Sequence, residues 1–145
     1  MTNVQLVEAL HEIWCTGNVA MIEQIYASDF VGHWPRSSEV PLRLGIQTLR
    51  LGLQRTRAAF PDWHERVVDV FGSGDRVATR YVSTGTHLGP YLGMDPTGRR
   101  VEIDEISIFR CADGRVAEQW CLFDEVARLQ QLGVDEVRLR KIFKL

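Results

Sequence analysis

The spacing of apolar residues changes near Trp63, and this change constrains the fold more than any other feature of the sequence. Before it, apolar residues recur every three or four positions, as on one side of a helix. After it, they alternate with polar residues, as in strands with one buried face. Helices followed by an antiparallel sheet are typical of an α+β fold, and 145 residues suit one domain spanning 1–145.

Three helices are predicted in the first part of the chain. The first carries apolar residues from Val4 to Trp14 and ends at Gly17. The second is short and includes Val19 to Tyr26, and an extended piece follows over 29–35. The third helix is predicted over 45–60, after a loop at 36–44.

The second part predicts a meander of four strands and a closing helix. The strands are expected at 64–71, 76–86, 100–111 and 115–123, and the helix at 125–132. Small antiparallel sheets curl readily, and the mouth of a curled sheet is a common ligand site. We therefore expect a hydrophobic pocket between helices and sheet. The loop at 89–98 is expected to act as a flap, with Leu92 and Met94 able to cover a ligand.

Composition argues against several classes of partner. The net charge is −2 without long runs of like charge, so neither nucleic acid nor a membrane surface is an expected partner. The three cysteines are odd in number and widely spaced, which favours reduced thiols over disulfides. Neither they nor the four scattered histidines have the spacing of a metal site. No apolar run reaches the length of a membrane span, and no signal peptide is recognised, so a cytoplasmic location is expected.

An ordered set of short motifs extends along most of the chain. The segment from Thr97 to Gly133 reads T-G-R-x-V, then F-R-x-x-D-G-R-V-x-E-x-W-x-x-x-D, then L-Q-Q-L-G. D-F-V-x-H and A-F-P-D-W precede it. In these motifs the chain resembles SnoaL-like proteins of the NTF2-like superfamily.

The resemblance implies a fold and a function. The fold would be a conical α+β barrel, with three N-terminal helices packed on a curved antiparallel sheet. The function would be tailoring of an aromatic polyketide or related polycyclic substrate, as in antibiotic biosynthesis, by acid/base chemistry without a cofactor. Cyclase-type aldol and hydroxylase-type reactions both occur in the family. A homodimer is expected, with a reductase partner if the protein is a hydroxylase.

The cyclases' known site residues are replaced in this sequence. Their acid/base aspartate aligns with Cys121, their histidine with Ser107 and their glutamine with Glu105. Their asparagine after the second helix aligns near His33. A thiol, with a pKa of ~8.5 against ~3.9 for aspartate, cannot simply replace a carboxylate as the acid.

Three residues are therefore candidates for catalysis. Glu105 would become a proton shuttle if it faced the cavity, and would otherwise be an exposed or ion-paired strand carboxylate. Asp124 ends the W-x-x-x-D pattern and is also placed to cap the last helix. His33 is expected at the cavity mouth, or as a loop histidine bonded to backbone. His11 and His64 are expected on the surface.

The expected substrate-binding residues are mostly aromatic. Each aromatic residue taken alone is more often a core residue than a ligand contact. The full set is Trp14, Trp34, Tyr81, Ser107, Phe109, Gln119, Trp120 and Cys121.

The register of the last hairpin decides which residues share the pocket. A two-residue turn at Asp113-Gly114 would place Ser107 opposite Trp120, whereas a bulge at Gly114 would place it opposite Gln119. The bulged form keeps Glu105 and Cys121 on one face. Two further functions remain open: a non-catalytic binding protein for a hydrophobic metabolite, or an isomerase or epoxide hydrolase on the same fold.

Overall fold

The computed structural model describes residues 1–35 and 43–144. The predicted loop at 36–44 therefore lies mostly outside the described residues. The elements are α1 (Asn3–Thr16), a 3-10 turn (Val19–Met21), α2 (Ile22–Ile25), β1 (Tyr26–His33), β2 (Arg43–Leu44), α3 (Ile46–Ala59), β3 (His64–Ser73), β4 (Arg76–Thr86), β5 (Arg100–Ala112), β6 (Arg115–Phe123), α4 (Glu125–Gln131) and α5 (Glu136–Phe143).

The strands form one sheet in the order β2-β1-β6-β5-β4-β3. The last four pair as an antiparallel meander, which confirms the predicted α+β fold with helices packed on a curved sheet. Strand β1 adds to it in parallel with β6, placing His33 beside Trp120. Tyr26 begins this strand rather than ending the second helix. Ile25 and Tyr26 are both buried, so in the sequence Tyr26 fitted the apolar spacing of the second helix.

The register of the β5–β6 hairpin differs from both predicted alternatives. Asp113 and Gly114 both have positive φ angles, as in a two-residue hairpin turn, and Cys111 pairs with Val116. The register then shifts, so that Ser107 pairs with Cys121. The extra residue is Ala117, inside β6, rather than Gly114 in the turn.

This bulge settles which side chains face inward. Glu105, Ser107 and Cys121 are buried on the concave face, as the bulged alternative predicted. The apolar side chains between them point outward. Ile106 is 52% exposed and Leu122 is 69% exposed.

Arg57 fixes the helices around the pocket. Its Nη1 donates to the backbone oxygens of Trp14, Cys15 and Trp63, at 3.2, 2.7 and 3.0 Å. Gly17 ends α1 with a φ of 72°, and a Cβ there would lie 2.4 Å from Arg57 Cδ. The close approach of this guanidinium therefore requires glycine, and it joins the ends of α1 and α3 to the start of β3.

Helix α5 was not expected, because the elements predicted from the sequence ended with the helix at 125–132. Leu139 of α5 is buried in a second core cluster with Leu129 and Leu132. None of the helices in the described part of the chain combines the length and hydropathy that a membrane span requires.

Candidate active site

A cavity of about 430 Å³ lies between the concave face of the sheet and the helices. Its walls come from α1, α3, α4, the sheet and the loop after β4. The lining is Trp14, Trp34, Thr48, Leu49, Gly52, Arg55, Thr56, Ala58, Trp63, Glu65, Tyr81, Pro90, Tyr91, Leu92, Glu105, Gln119, Cys121, Phe123 and Arg128. Most of this surface is aromatic or aliphatic, with two acids among it.

The two acids lie on either side of strand β4. Glu65 on β3 pairs with Ser83, and Glu105 on β5 pairs with Tyr81, two residues along β4. Side chains of alternate residues share one face, so all of these point into the concave side. Ser83 Oγ donates a hydrogen bond to Glu105 Oε2. Both carboxyl groups are more than nine-tenths buried.

Glu105 is a weak acid in this setting. Burial raises its pKa, and the negative charge of Glu65 raises it further, to about 8. The hydrogen bond from Ser83 and the charge of Arg128 oppose this shift without cancelling it. At neutral pH Glu105 therefore carries a proton that it can donate.

Glu65 is bound to a buried histidine. His11 Nδ1 lies 3.1 Å from Glu65 Oε1, and His11 Nε2 lies 3.1 Å from Thr79 Oγ1. The imidazole is 3% exposed and packs against the ring of Tyr81 at 4.5 Å. The prediction of a surface histidine is wrong here, because α1 turns His11 toward the sheet. Both of its nitrogens are engaged, so the orientation of Glu65 is fixed.

A second cluster of hydrogen-bonded polar side chains lies at the sheet side of the cavity. Tyr81 Oη is 3.0 Å from Ser107 Oγ and 3.5 Å from Cys121 Sγ. Gln119 Nε2 donates to Ser107 Oγ at 3.1 Å. Burial raises the pKa of the Cys121 thiol well above its usual value, and the pKa of Tyr81 is raised in the same way. Neither group ionises near neutral pH, so Cys121 provides no thiolate.

The far wall carries a buried arginine. Arg128 Nη2 donates to Glu125 Oε2, and Glu125 Oε1 accepts from Tyr91 Oη at 2.8 Å. The guanidinium also lies over the rings of Tyr91 and Phe123, at 5.0 and 4.8 Å from their centres. These contacts hold the arginine against the aromatic wall of the cavity.

The structure brings most of the predicted site residues together. Six of them line the cavity: Trp14, Trp34, Tyr81, Glu105, Gln119 and Cys121. Ser107 lies just behind it in the network of Tyr81. In the loop after β4, Leu92 lines the cavity as expected of a flap, whereas Met94 is buried in the core.

Four predicted residues lie elsewhere. Phe109 is fully buried in the core between α1 and the sheet. Asp124 is exposed, and its Oδ1 accepts from the backbone N–H of Ala127 at 2.9 Å, as a helix N-cap. His33 stacks on Trp120, with ring centres 5.3 Å apart, and its Nε2 lies 2.7 Å from Glu118 Oε2. The pairing of β1 with β6 places both rings on the outer side of the sheet.

Glu65 and Arg128 were not predicted from the sequence. Glu65 was one polar residue in an alternating strand, and the strand assignment alone did not show which face was buried. Arg128 had the appearance of a solvated arginine in a short helix. The one available signal was the spacing of three or four residues that places Arg128 beside Glu125 and over the residues before α4.

In the described part of the chain, no group of three or more histidine, cysteine, aspartate or glutamate side chains is arranged to hold a metal ion. The polar groups that converge on the cavity are instead suited to proton transfer and hydrogen bonding.

Comparison with known proteins gives matches that cover most of the chain. The model of the SnoaL-like polyketide cyclase family matches residues 4–132. The aklanonic acid methyl ester cyclase DnrD of Streptomyces peucetius is 23% identical over 133 residues, which cover 91% of each chain.

Two solved structures extend the comparison. IdmH of Streptomyces antibioticus, provisionally assigned as a polyketide cyclase, is 34% identical with a TM-score of 0.81, covering 92% of this chain and 100% of its own. AclR of Streptomyces galilaeus, provisionally assigned as a hydroxylase, is 27% identical with a TM-score of 0.79, covering 90% of this chain and 95% of its own.

Proposed function

The chain belongs to the SnoaL-like polyketide cyclase family, and from this premise we propose that it catalyses a cyclase-type aldol closure of a polyketide-like substrate. Glu105 and Glu65 are the acid and base of this reaction. The observation that carries the proposal is the buried pair itself, in which Glu105 holds its proton up to a pH of about 8. Two carboxyl groups whose environments differ can divide the roles of acid and base.

Each acid has a role that follows from its contacts. Glu65, oriented by His11, which is itself bonded to Thr79, takes a proton from a carbon next to a substrate carbonyl. Glu105 gives its proton to the carbonyl oxygen that is attacked. One carbon–carbon bond forms and one carbon–hydrogen bond breaks, and the carbonyl becomes a hydroxyl. Glu65 ends protonated and Glu105 ionised. A proton must therefore pass from Glu65 back to Glu105 before the next cycle.

This reaction needs no cofactor, because it neither oxidises nor reduces the substrate. The pocket contributes by excluding water and holding a flat substrate against Trp14, Trp34 and Trp63. A polycyclic aromatic polyketide, of the kind made in antibiotic biosynthesis, suits such a lining.

A hydroxylase is the second candidate, supported by the likeness to AclR. It would use the same acids on an electron-rich substrate that reacts with oxygen, together with a reductase partner. Oxygen uptake during turnover separates the two, since an aldol closure consumes none.

The direct experiment is turnover of a polyketide substrate by matched variants. Glu105→Gln and Glu65→Gln keep the shape of each side chain and remove its proton transfer, so each should lower kcat by roughly 100-fold or more. Asp104→Asn is the control, because Asp104 is the exposed neighbour of Glu105 on β5. Unchanged kcat in both glutamine variants would contradict the assignment of the two acids, whereas a wild type that binds the substrate without turnover would favour a binding protein.

The outer face of the sheet supports a homodimer. Ile106, Ile108 and Leu122 are 52%, 45% and 69% exposed and lie together around the stacked rings of His33 and Trp120. Contiguous apolar surface of this kind marks an interaction site. We assign a second copy of the chain to it.

A cytoplasmic location belongs to the same proposal. Cys15, Cys111 and Cys121 are all unpaired thiols. Free thiols are typical of proteins in a reducing compartment.

A further inference from the structure

Gly52 lies in the middle of helix α3 and lines the cavity. Glycine is unfavourable at such a position, because it loses more backbone freedom on folding than alanine does and contributes no side chain to the packing. The helix Ile46–Ala59 therefore carries a weak helix former at its centre. A residue that destabilises its own helix points to a role outside that helix.

Neither backbone conformation nor close packing accounts for this glycine. Its φ angle is not positive, whereas Gly17 ends α1 with a φ of 72°. A Cβ on Gly89 would lie 2.0 Å from the backbone oxygen of Ala58, but a Cβ on Gly52 would have no neighbour within 4 Å in the described part of the chain. Nothing in that part of the protein therefore prevents an alanine at position 52.

The open space beside Gly52 belongs to the cavity. Thr48 and Thr56 lie one turn before and one turn after Gly52 on the same side of α3, and both line the cavity. Leu49 and Leu53 turn further toward the core, where they are 2% and 1% exposed. A side chain at position 52 would therefore project between the two threonines and occupy space that a ligand could fill.

Helix α3 is held too firmly to move away from a larger residue. Leu49 and Leu53 are packed in the main core cluster. One turn further along, Arg57 donates to two backbone oxygens at the end of α1 and to one just before β3. Packed interiors adjust little to added volume. Each atom added at position 52 should therefore narrow the cavity and leave the helix in place.

We propose that Gly52 sets the upper size of the ring system that the pocket accepts, because a planar ligand lies directly against the backbone of α3 at this residue. Glycine allows such a close approach of backbone to ligand. The inference rests on the proposed function for the class of ligand, and it adds the residue that determines how large the ligand can be.

Binding of three probes of increasing size tests this role at pH 7. The probes are 2-acetyl-1-naphthol, 1-hydroxyanthraquinone and 6-hydroxy-5,12-naphthacenequinone, which have two, three and four fused rings. Each carries a hydroxyl group beside a carbonyl group, so that size is the main difference between them. Binding is followed by quenching of tryptophan fluorescence, since Trp14, Trp34 and Trp63 line the cavity. The wild type should bind all three probes.

Variants at position 52 should change the size limit in steps. Gly52→Ala should weaken binding of the four-ring probe roughly tenfold, because overpacking is costly in a rigid site, and should change binding of the two-ring probe by less than about twofold. Gly52→Leu should weaken binding of the three-ring probe as well. Gln54→Leu is the control, since it places leucine at an exposed position of the same helix, and it should bind all probes like the wild type.

Thermal unfolding without ligand shows that the glycine is retained for the cavity. Gly52→Ala should raise the Tm by about 2–4 °C, because alanine is the better helix former and meets no neighbour. A Tm below that of the wild type would mean that the protein needs glycine there for its own packing, and would overturn the inference.

The binding data also separate this inference from the proposed reaction. Glu105→Gln should lose turnover and keep the wild-type affinities for the three probes. Equal weakening of all probes in Gly52→Ala, unchanged affinity for the four-ring probe in both Gly52 variants, or failure of the wild type to bind the larger two probes would each overturn the role of Gly52. None of these results would alter the test of the two acids by kcat.

Discussion

Glu65 on β3 and Glu105 on β5 face one pocket from either side of strand β4, and the charge of Glu65 adds to burial in opposing the ionisation of Glu105. This relationship leaves a protonated acid beside a second carboxyl group that His11 holds in place. Catalysis by this pair would rely on burial and hydrogen bonding to set each role, since neither Cys121 nor Tyr81 ionises near neutral pH.

The raised pKa of Glu105 predicts that stability falls as the pH rises. The folded-state pKa is about 8, against 4.5 for the free side chain, so the folded protein holds the extra proton between these values. The stabilisation is complete below pH 4.5 and is lost as the pH rises through 8. The free energy of unfolding should fall by a few kcal/mol, on the order of 4, across this window.

Urea denaturation at pH 5, 6.5 and 8 measures this slope. Glu105→Gln should flatten it and be more stable than the wild type at pH 8. Asp104→Asn should keep the wild-type slope. Equal slopes in the wild type and Glu105→Gln would show that Glu105 ionises normally.

Replacing His11 is expected to affect both stability and turnover. His11→Ala removes two buried hydrogen bonds and leaves Glu65 and Thr79 unpaired, which should cost about 2–4 kcal/mol of unfolding free energy. Because Glu65 loses its orientation, kcat should fall by a larger factor than KM rises. The pH profile of kcat should also shift. His64→Ala, at the exposed start of β3, should change stability by less than about 0.5 kcal/mol. If the role of His11 were purely structural, the pH profile of kcat, measured on the folded protein, would stay the same in His11→Ala.

Variants of Asp124 distinguish a helix-capping role from a catalytic one. Asp124→Ala should lose about 1 kcal/mol of stability, because it removes the hydrogen bond to Ala127 N–H at the start of α4. Asp124→Ser keeps a capping oxygen and should recover most of that loss. Turnover should stay within about twofold of the wild type in both, as expected of a group outside the pocket. A 100-fold loss of kcat in the serine variant would restore the catalytic role that the W-x-x-x-D pattern suggested.

The outer sheet face predicts how the chain associates. Leu122→Asp and Ile108→Asp place a charge within the exposed apolar surface and should convert a dimer to a monomer in sedimentation or light scattering. Val137→Asp is the control, at another exposed apolar residue, on α5. A wild-type protein that is monomeric at all concentrations would contradict the assignment of a second copy to this face.

The sequence was sufficient for the architecture because the change of apolar spacing at Trp63 is a direct consequence of burial. The alternation along β5 likewise placed Glu105 and Ser107 on one face. The alternation of apolar and polar residues could not locate the bulge at Ala117, because a bulge depends on how two strands pair and not on the residues of one strand. Tyr26 shows the same limit, since a buried residue at a helix end and at a strand start look alike.

The catalytic assignment needed tertiary structure for a different reason. Glu65 and His11 are 54 residues apart in sequence and meet only when α1 packs across β3. His33 has the residue type of a catalyst, yet the parallel pairing of β1 with β6 places it on the outer face beside Trp120. Residue type alone could not distinguish these two histidines.

The most direct test is the titration of the Glu105 side-chain carboxyl group by carbon-13 NMR, in the wild type and in Glu65→Gln. We expect a pKa of about 8 in the wild type and a lower pKa in the variant, because removing the charge of Glu65 makes ionisation easier. Titration of Glu105 at the ordinary value for glutamate, unchanged by Glu65→Gln, would contradict it.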